Sequence, residues 1–323
     1  MSTIGAVIVT WNSGETIDRC IASCSGLEVT VIDNASSDDT AERVRRHPEV
    51  YFISNLENRG FAAAVNQGIA RTNSDYILLL NPDVELLTPL TALAEACASG
   101  DVVIAAGRLL NQNGVTQTGF TIRALPTPAA LALEALGINR LFPSNSVNRR
   151  YRCLDFSLDT EGDVEQPAGA FMLFKRDLWC RLGGFDERFS PVWFEDVDFC
   201  KRALETGRIR YFPKAVAKHR GGASVRQMEW SNRELCWYAS LLRYASKHFS
   251  RFKFRGVCGA VVLGSAVRLL TGLFVRRTSQ VITVYAKTAS LAAQCMILGR
   301  VSPAQCEGRQ QQTRVRTITS STK

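Results

Sequence analysis

The sequence predicts an α/β protein with a mostly parallel, doubly wound central sheet and a C-terminal helical appendage. Three observations predict it. Short apolar runs alternate with helical patterns through the first 107 of 323 residues. Two acidic motifs stand where strands end, Asn81-Pro82-Asp83 and Glu195-Asp196-Val197-Asp198, which is where open α/β sheets bind ligands. The charge is also split. Residues 1–242 carry 25 Lys/Arg and 29 Asp/Glu, whereas residues 243–323 carry 14 Lys/Arg against Glu307 alone. The net +9 is a property of the tail, and it points to an anionic surface as partner.

Taken in order, the apolar runs 4–9, 29–32, 50–53, 76–80 and 102–106 read as strands, and 14–24, 38–46, 61–72 and 88–98 as helices. Ser37-Asp38-Asp39-Thr40 and Thr88-Pro89 read as helix starts. From 108 to 165 the pattern loosens into an excursion over the site, with a brief helix at 129–136. A strand at 169–174 leads to a helix that Gly183-Gly184 ends. A helix at 195–206 is followed by a strand over 209–219, broken at Pro213. Helical spacing resumes over 229–248.

The apolar stretches 257–275 and 281–298 are long enough to tempt a spanning assignment. Arg268 interrupts the first, and Lys287 and Gln294 the second. A central Arg is costly in hydrocarbon, and the flanking bases favour helices lying in the membrane interface. A plain helical appendage is the alternative. Apolar interleaving favours lipid over nucleic acid. The last twenty residues are expected to be disordered. The scattered cysteines form no zinc pattern and suit a reducing compartment. The first strand begins almost at Met1, which leaves no room for a cleaved signal peptide, so a cytoplasmic enzyme at the inner face of the membrane is expected.

Four motifs lie in order: Ala6-Val-Ile-Val-Thr-Trp-Asn12, Val31-Ile-Asp-Asn-Ala-Ser-Ser-Asp38, Asn58-Arg-Gly-Phe-Ala-Ala-Ala-Val-Asn66 and Leu80-Asn-Pro-Asp83. Together they resemble the inverting glycosyltransferases of family 2 with GT-A fold, and the last two resemble its rhamnosyltransferase branch. The resemblance spans about 4–225. It implies a catalytic domain over 1–228, with a nucleotide-binding half (1–107) and an acceptor half (108–228). A membrane-associating helical region (229–303) and the tail (304–323) would follow.

The resemblance also implies roles. Thr10, Asn12, Asp33, Asn58, Gly60, Asn66, Asn81, Asp83 and Gly169 would bind a nucleotide-diphosphate sugar, with Asp33 accepting the imide N–H of the base. A helix cap is the bland alternative for Asp33. The helix opened by Asn58 and Gly60 would offer free N–H groups to phosphate. Asp83 matches the last acid of the family's DxD motif, and Asn81 replaces the first. Asp83 and His219 would hold Mn2+ or Mg2+. Asp196 would be the general base, with Glu195 orienting a neighbour or the acceptor, and Asp198 would serve helix-start electrostatics. Trp193 and Phe194 stack on the acceptor sugar or belong to the core. The donor implied is dTDP-L-rhamnose, and the acceptor a lipid-linked or cell-envelope glycan. The alternatives are a UDP-hexose donor, or a catalytically silent nucleotide- or glycan-binding protein, motivated by Asn81.

Overall fold

The computed structural model describes residues 2–275 and 279–301; the predicted tail at 304–323 lies outside the described residues. The N-terminal part runs β1 (Ile4–Thr10), α1 (Gly14–Ser23), β2 (Glu28–Asp33), α2 (Thr40–Val44), β3 (Tyr51–Ser54), α3 (Phe61–Ile69), β4 (Tyr76–Leu80), β5 (Val84–Leu86), α4 (Thr91–Ala98) and β6 (Val102–Leu110). The excursion holds β7 (Ile122–Arg123), α5 (Pro128–Leu136), α6 (Ile138–Leu141), α7 (Ser146–Tyr151), β8 (Gly162–Asp163) and β9 (Gln166–Pro167). Then come β10 (Phe171–Lys175), α8 (Arg176–Leu182), α9 (Glu195–Ala203), β11 (Arg208–His219), α10 (Ala223–Gln227), α11 (Trp230–His248), α12 (Arg251–Val275) and α13 (Ser279–Leu298).

The main sheet is ordered β3-β2-β1-β4-β10-β6-β11-β5, with β8 beside β11. The β3-β2-β1-β4 block is parallel, as alternation predicts. β10 inserts antiparallel between β4 and β6. Both faces are covered. Ala6, Ile8, Leu78 and Leu80 enter one core and Val7, Val9, Ile77 and Leu79 the other, so these strands read as continuous apolar runs.

The structure departs from the sequence reading at local features. β11 runs unbroken through Pro213, with a register shift against β6 between Phe212 and Val216. A bulge at proline satisfies the missing donor without ending the strand. Thr88 starts no helix. Its Oγ accepts the Val216 N–H just past that bulge, at 2.8 Å, and α4 begins at Thr91. Likewise α2 begins at Thr40, and the Asp38 carboxylate accepts from the N–H groups of Gly14 and Thr40.

Arg268 is spent inside the protein. Its guanidinium donates to the carbonyls of Ala135, Gly264 and Glu134, which neutralises the C-terminal end of α5. A third apolar core joins α5, α11, α12 and α13 to Phe189, Phe194 and Val197. Arg268 therefore does not by itself separate an interfacial helix from a packed one.

Candidate active site

The site is assembled where β4 ends beside the start of β10. Phe171 lies opposite Leu80 in register. Two hydrogen bonds then connect the acidic motifs. Asn81 N–H donates to Ala170 O at 3.0 Å, and Gly169 N–H donates to Asp196 Oδ2 at 3.1 Å. A single backbone step thus joins the strand end that carries Asp83 to the carboxylate of Asp196. A Cβ at Gly169 would lie 2.9 Å from Asp196 Cβ, so only glycine permits this approach. Gly169 is buried and acts through Asp196 instead of lining an open donor pocket.

Asp196 and Glu195 open α9, after two residues with left-handed backbone, Trp193 (φ 81°) and Phe194 (φ 69°). Such conformations cost about 1–3 kcal/mol each and persist only where the surroundings hold them. Asp196 Oδ1 accepts from Val197 N–H, and Oδ2 also accepts from Gln166 Nε2 at 3.3 Å. Burial raises the Asp196 carboxyl above its ordinary value, against the N–H groups of Gly169 and Val197 and the charge of Arg123. Glu195 is pushed up further, by burial and then by the neighbouring Asp196. Its buried Oε2 has no hydrogen-bond partner. Both carboxyls are thus raised by burial, Glu195 more than Asp196, and Asp196 is held by the backbone N–H groups of Gly169 and Val197.

Asp83 and His219 do converge. His219 sits opposite Val84 in the β5–β11 ladder, and its Nε2 lies 3.4 Å from Asp83 Oδ1, both side chains being buried. Gln117, which the sequence reading missed, determines how the ring faces. Its amide Nε2 donates to the His219 carbonyl at 3.0 Å. Its Oε1 must then face His219 Nδ1, 2.8 Å away, and accept from it. Nε2 is buried without a hydrogen-bond partner and faces Asp83. Phe120 stacks on the ring, with centroids 5.0 Å apart. An imidazole nitrogen and a carboxylate fit Mn2+ or Mg2+, provided that ligand oxygens fill the other positions, since no group of three protein ligands occurs among the described residues. Gln117→Leu is expected to weaken Mn2+ binding roughly 10–100-fold. Calorimetric titration of Mn2+ in the presence of UDP measures this, and an unchanged affinity would assign the Gln117 contact to folding alone.

At and just past the C-terminal ends of β1 and β2 lie Thr10, Asn12 and Asp33, the residues expected to meet a nucleotide. The buried Asp33 accepts from Thr10 Oγ at 2.8 Å and from both the hydroxyl and the N–H of Ser36. Three of its roughly four acceptor positions are used, leaving one. Thr10 is wholly buried and holds Asp33; its expected direct contact with the donor is corrected. Asn12 Oδ1 accepts from Ser37 N–H at 2.7 Å, and its carbonyl takes Gln227 Nε2 from α10 at 2.8 Å.

Further expectations are corrected. Asn66 is engaged within the protein. Its Oδ1 accepts from Trp179 Nε1 and Phe185 N–H, and its Nδ2 donates to Phe185 O and Glu187. These contacts use its whole hydrogen-bonding capacity on the 179–187 turn. Surface cavities of about 460 and 390 Å³ flank it, and neither is lined by Asp83 or Asp196. Asn58 Oδ1 accepts from Gly60 N–H. The start of α3 is closed by protein, since Phe61 N–H donates to Pro191 O at 2.8 Å and a Cβ on Gly60 would meet Ser190 Oγ at 3.0 Å. Phe194 is core, packed on Tyr244 and Trp237. Trp193 is half-buried.

An α/β sheet with an antiparallel strand inserted after the acidic turn, and a second acid at a helix start beside it, is an arrangement of GT-A type. Residues 6–154 match the glycosyl transferase family 2 model.

Among relatives, the chain is 28% identical over 233 residues to the N-acetylglucosaminyl-diphospho-decaprenol L-rhamnosyltransferase of Mycobacterium tuberculosis, covering 66% of this chain and 74% of that one. It is 33% identical over 243 residues to the poly-beta-1,6-N-acetyl-D-glucosamine synthase of Staphylococcus aureus, covering 70% of this chain and 53% of that one. The crystal structure of GalNAc-T7 with UDP, GalNAc and Mn2+ shares the fold, with a TM-score of 0.51 at 17% identity, over 68% of this chain and 44% of that one.

Proposed function

We propose that the protein transfers a sugar from a nucleotide diphosphate to a hydroxyl acceptor with inversion, and that Asp196 is the general base. The observation that supports this reading is the Asn81–Ala170 and Gly169–Asp196 pair of hydrogen bonds, which links the strand end carrying Asp83 to the carboxylate of Asp196. The acceptor hydroxyl gives its proton to Asp196 as its oxygen bonds to the anomeric carbon. The anomeric carbon–oxygen bond to the diphosphate breaks, and the diphosphate keeps the electron pair. Asp33 takes the imide N–H of the base at its remaining acceptor position, and Asn12 lies beside it. Asp83 and His219 would hold a divalent cation, which neutralises charge on the leaving diphosphate. Asn81 carries an uncharged amide side chain where the first carboxylate would stand, so the cation would depend on Asp83 for protein charge. Trp193 is the remaining candidate for contact with the acceptor sugar.

For the donor we favour dTDP-L-rhamnose, and for the acceptor a polyprenyl-linked or cell-envelope glycan. Their support is the name of the mycobacterial relative and the motifs at Asn58 and Asp83. A UDP-hexose donor is the second reading, supported by the synthase relative. A donor panel read by nucleotide-diphosphate release, with and without Mn2+, separates them. Release from no donor at all would leave a silent binding protein.

The helical region supports attachment to the cytoplasmic face of an anionic membrane. α12 and α13 are long and apolar enough to cross a membrane by length and composition. α12 leaves Phe252, Leu263, Val267 and Leu270 exposed at helical spacing on one face, next to exposed Arg251, Lys253 and Arg255. Its opposite face buries Phe254, Val257, Cys258 and Val261, so deleting the helix would open a core. Exposed-face changes test the idea instead. The full chain is expected to float with anionic vesicles and to be released by salt, since each base contributes roughly 1 kcal/mol at such a surface. Leu263→Asn with Leu270→Asn is expected to weaken flotation. Absence of flotation, or salt-sensitive retention on DNA instead, would reject the membrane assignment.

A further inference from the structure

Sequence spacing assigns Asp198 to the electrostatics of its own helix. The structure gives it different partners. Asp198 is completely buried, and its Oδ1 accepts from Lys247 Nζ and His248 Nε2, each at 2.7 Å. Both bases lie in the last turn of α11. Asp198 Oδ2 accepts from Arg202 Nε at 2.9 Å, and Arg202 donates onward to the carbonyls of Leu182 and Gly184. Lys247 also bridges to Asp186 at 2.7 Å, and Asp186 holds Arg188. Ion pairs and donors therefore surround a buried carboxylate of α9 that has no place in the proposed chemistry.

The same helix supports the rest of the loop that delivers Asp196. Ser240 Oγ donates to Val192 O at 3.2 Å. Phe194 packs on Trp237 and Tyr244. Arg243 and Lys247 lie over the Phe189 ring. His248 leans on Tyr244, with ring centroids 4.7 Å apart. Trp193 and Phe194, in left-handed backbone, thus sit in a frame that α11 supplies on one side and Asp198 locks on the other.

We propose that His248 and Lys247 are positioning residues. By clamping Asp198 they hold the start of α9, and with it Asp196, in register against Gly169. The clamp makes α11 part of the catalytic scaffold. It also gives the helices that follow α11 a mechanical route to the base. A buried carboxylate fastened to another helix by two cationic or donor groups is costly to break and hard to rotate, so small shifts of α9 are resisted. This inference rests on the assignment of Asp196 as base.

The test uses the full-length protein and the donor found by the panel above, with wild type and Asp196→Asn alongside. His248→Ala and Lys247→Met are expected to lower kcat on the order of 10–10²-fold, the size of effect a 1 Å misplacement produces, with donor KM and the UDP dissociation constant held within about twofold. His248→Gln, whose amide can still donate to Asp198, is expected to recover most of kcat. Hydrogen exchange of residues 189–198 is expected to quicken in His248→Ala and return toward wild type in His248→Gln. If Asp196→Asn is inactive but His248→Ala keeps full kcat and unchanged exchange, the clamp is refuted. The same holds if His248→Ala and His248→Gln lose activity equally, or if KM rises in proportion to the loss. If Asp196→Asn remains active, it is the base assignment that fails. Melting curves on each variant separate a folded, slowed enzyme from an unfolded one, and a clamp variant that melts early yet keeps kcat at low temperature also overturns the proposal.

Discussion

Asp196→Asn is expected to reduce transfer roughly 10²–10⁴-fold while UDP binding, measured by calorimetry, stays within about twofold of wild type. The amide keeps the size of the carboxyl but cannot take a proton from the acceptor. Gly169 and Val197 contact the side chain through N–H groups, so one amide face loses an acceptor and some local order. Activity within a few-fold of wild type would remove Asp196 from the mechanism. The pH profile carries a second signature. Burial raises the Asp196 carboxyl from its ordinary 3.8, and a base works only when ionised. The acid limb of kcat/KM is therefore expected above 3.8, with rate falling as pH drops through the raised value. The stability effect has the opposite sign. A carboxyl whose folded pKa is raised contributes stability below its unfolded pKa, and this contribution is lost as pH rises through the folded value. Glu195 shares that sign, so Glu195→Gln is expected to melt higher than wild type at neutral pH.

Asp83→Ala is expected to abolish the response to Mn2+ and to lower transfer on the order of 10²–10³-fold, the loss typical of removing one element of transition-state charge stabilisation. With Asn81 at the position of the first acid, no second carboxylate from that turn can compensate. His219→Ala is expected to do less, because a neutral imidazole supplies a ligand but no charge. Metal titrations of nucleotide-diphosphate release, with chelator as the zero point, measure both. Full activity in chelator would show that the Asp83–His219 pair serves the fold or the donor directly.

The readable part of the site was the part set by short-range chemistry. Asp33, Asp83 and Asp196 all stand where an apolar run or a helix begins or ends, and the structure places Asp33 at the end of β2, Asp83 in the turn after β4 and Asp196 at the start of α9. Asn66 shows the limit. It lies in a motif of small residues at a helix start, yet its amide faces the 179–187 turn, more than 110 positions away in sequence. Nothing in local spacing indicates which face of α3 points inward. Gln117 was invisible for a related reason. It lies in an irregular stretch and acquires meaning only from the carbonyl and ring of His219, 102 residues later. Phe194 and Trp193 read alike in sequence, and packing against α11 separated them.

By itself the sequence determined the α/β class, the parallel N-terminal part, the separate acidic centres and the basic, helical C-terminal region. Periodicity, caps and charge act over a few residues and are written locally. Only the tertiary structure decided that β10 inserts antiparallel between β4 and β6, and so that Ala170 and Gly169 link the two acidic centres. It alone decided that Arg268 is absorbed by the end of α5 and that Asp198 answers to α11. Each of these depends on which distant groups meet once the backbone's hydrogen bonds and the apolar faces have been satisfied, and a buried charge or amide takes its partner from whatever the packed chain brings within about 3 Å.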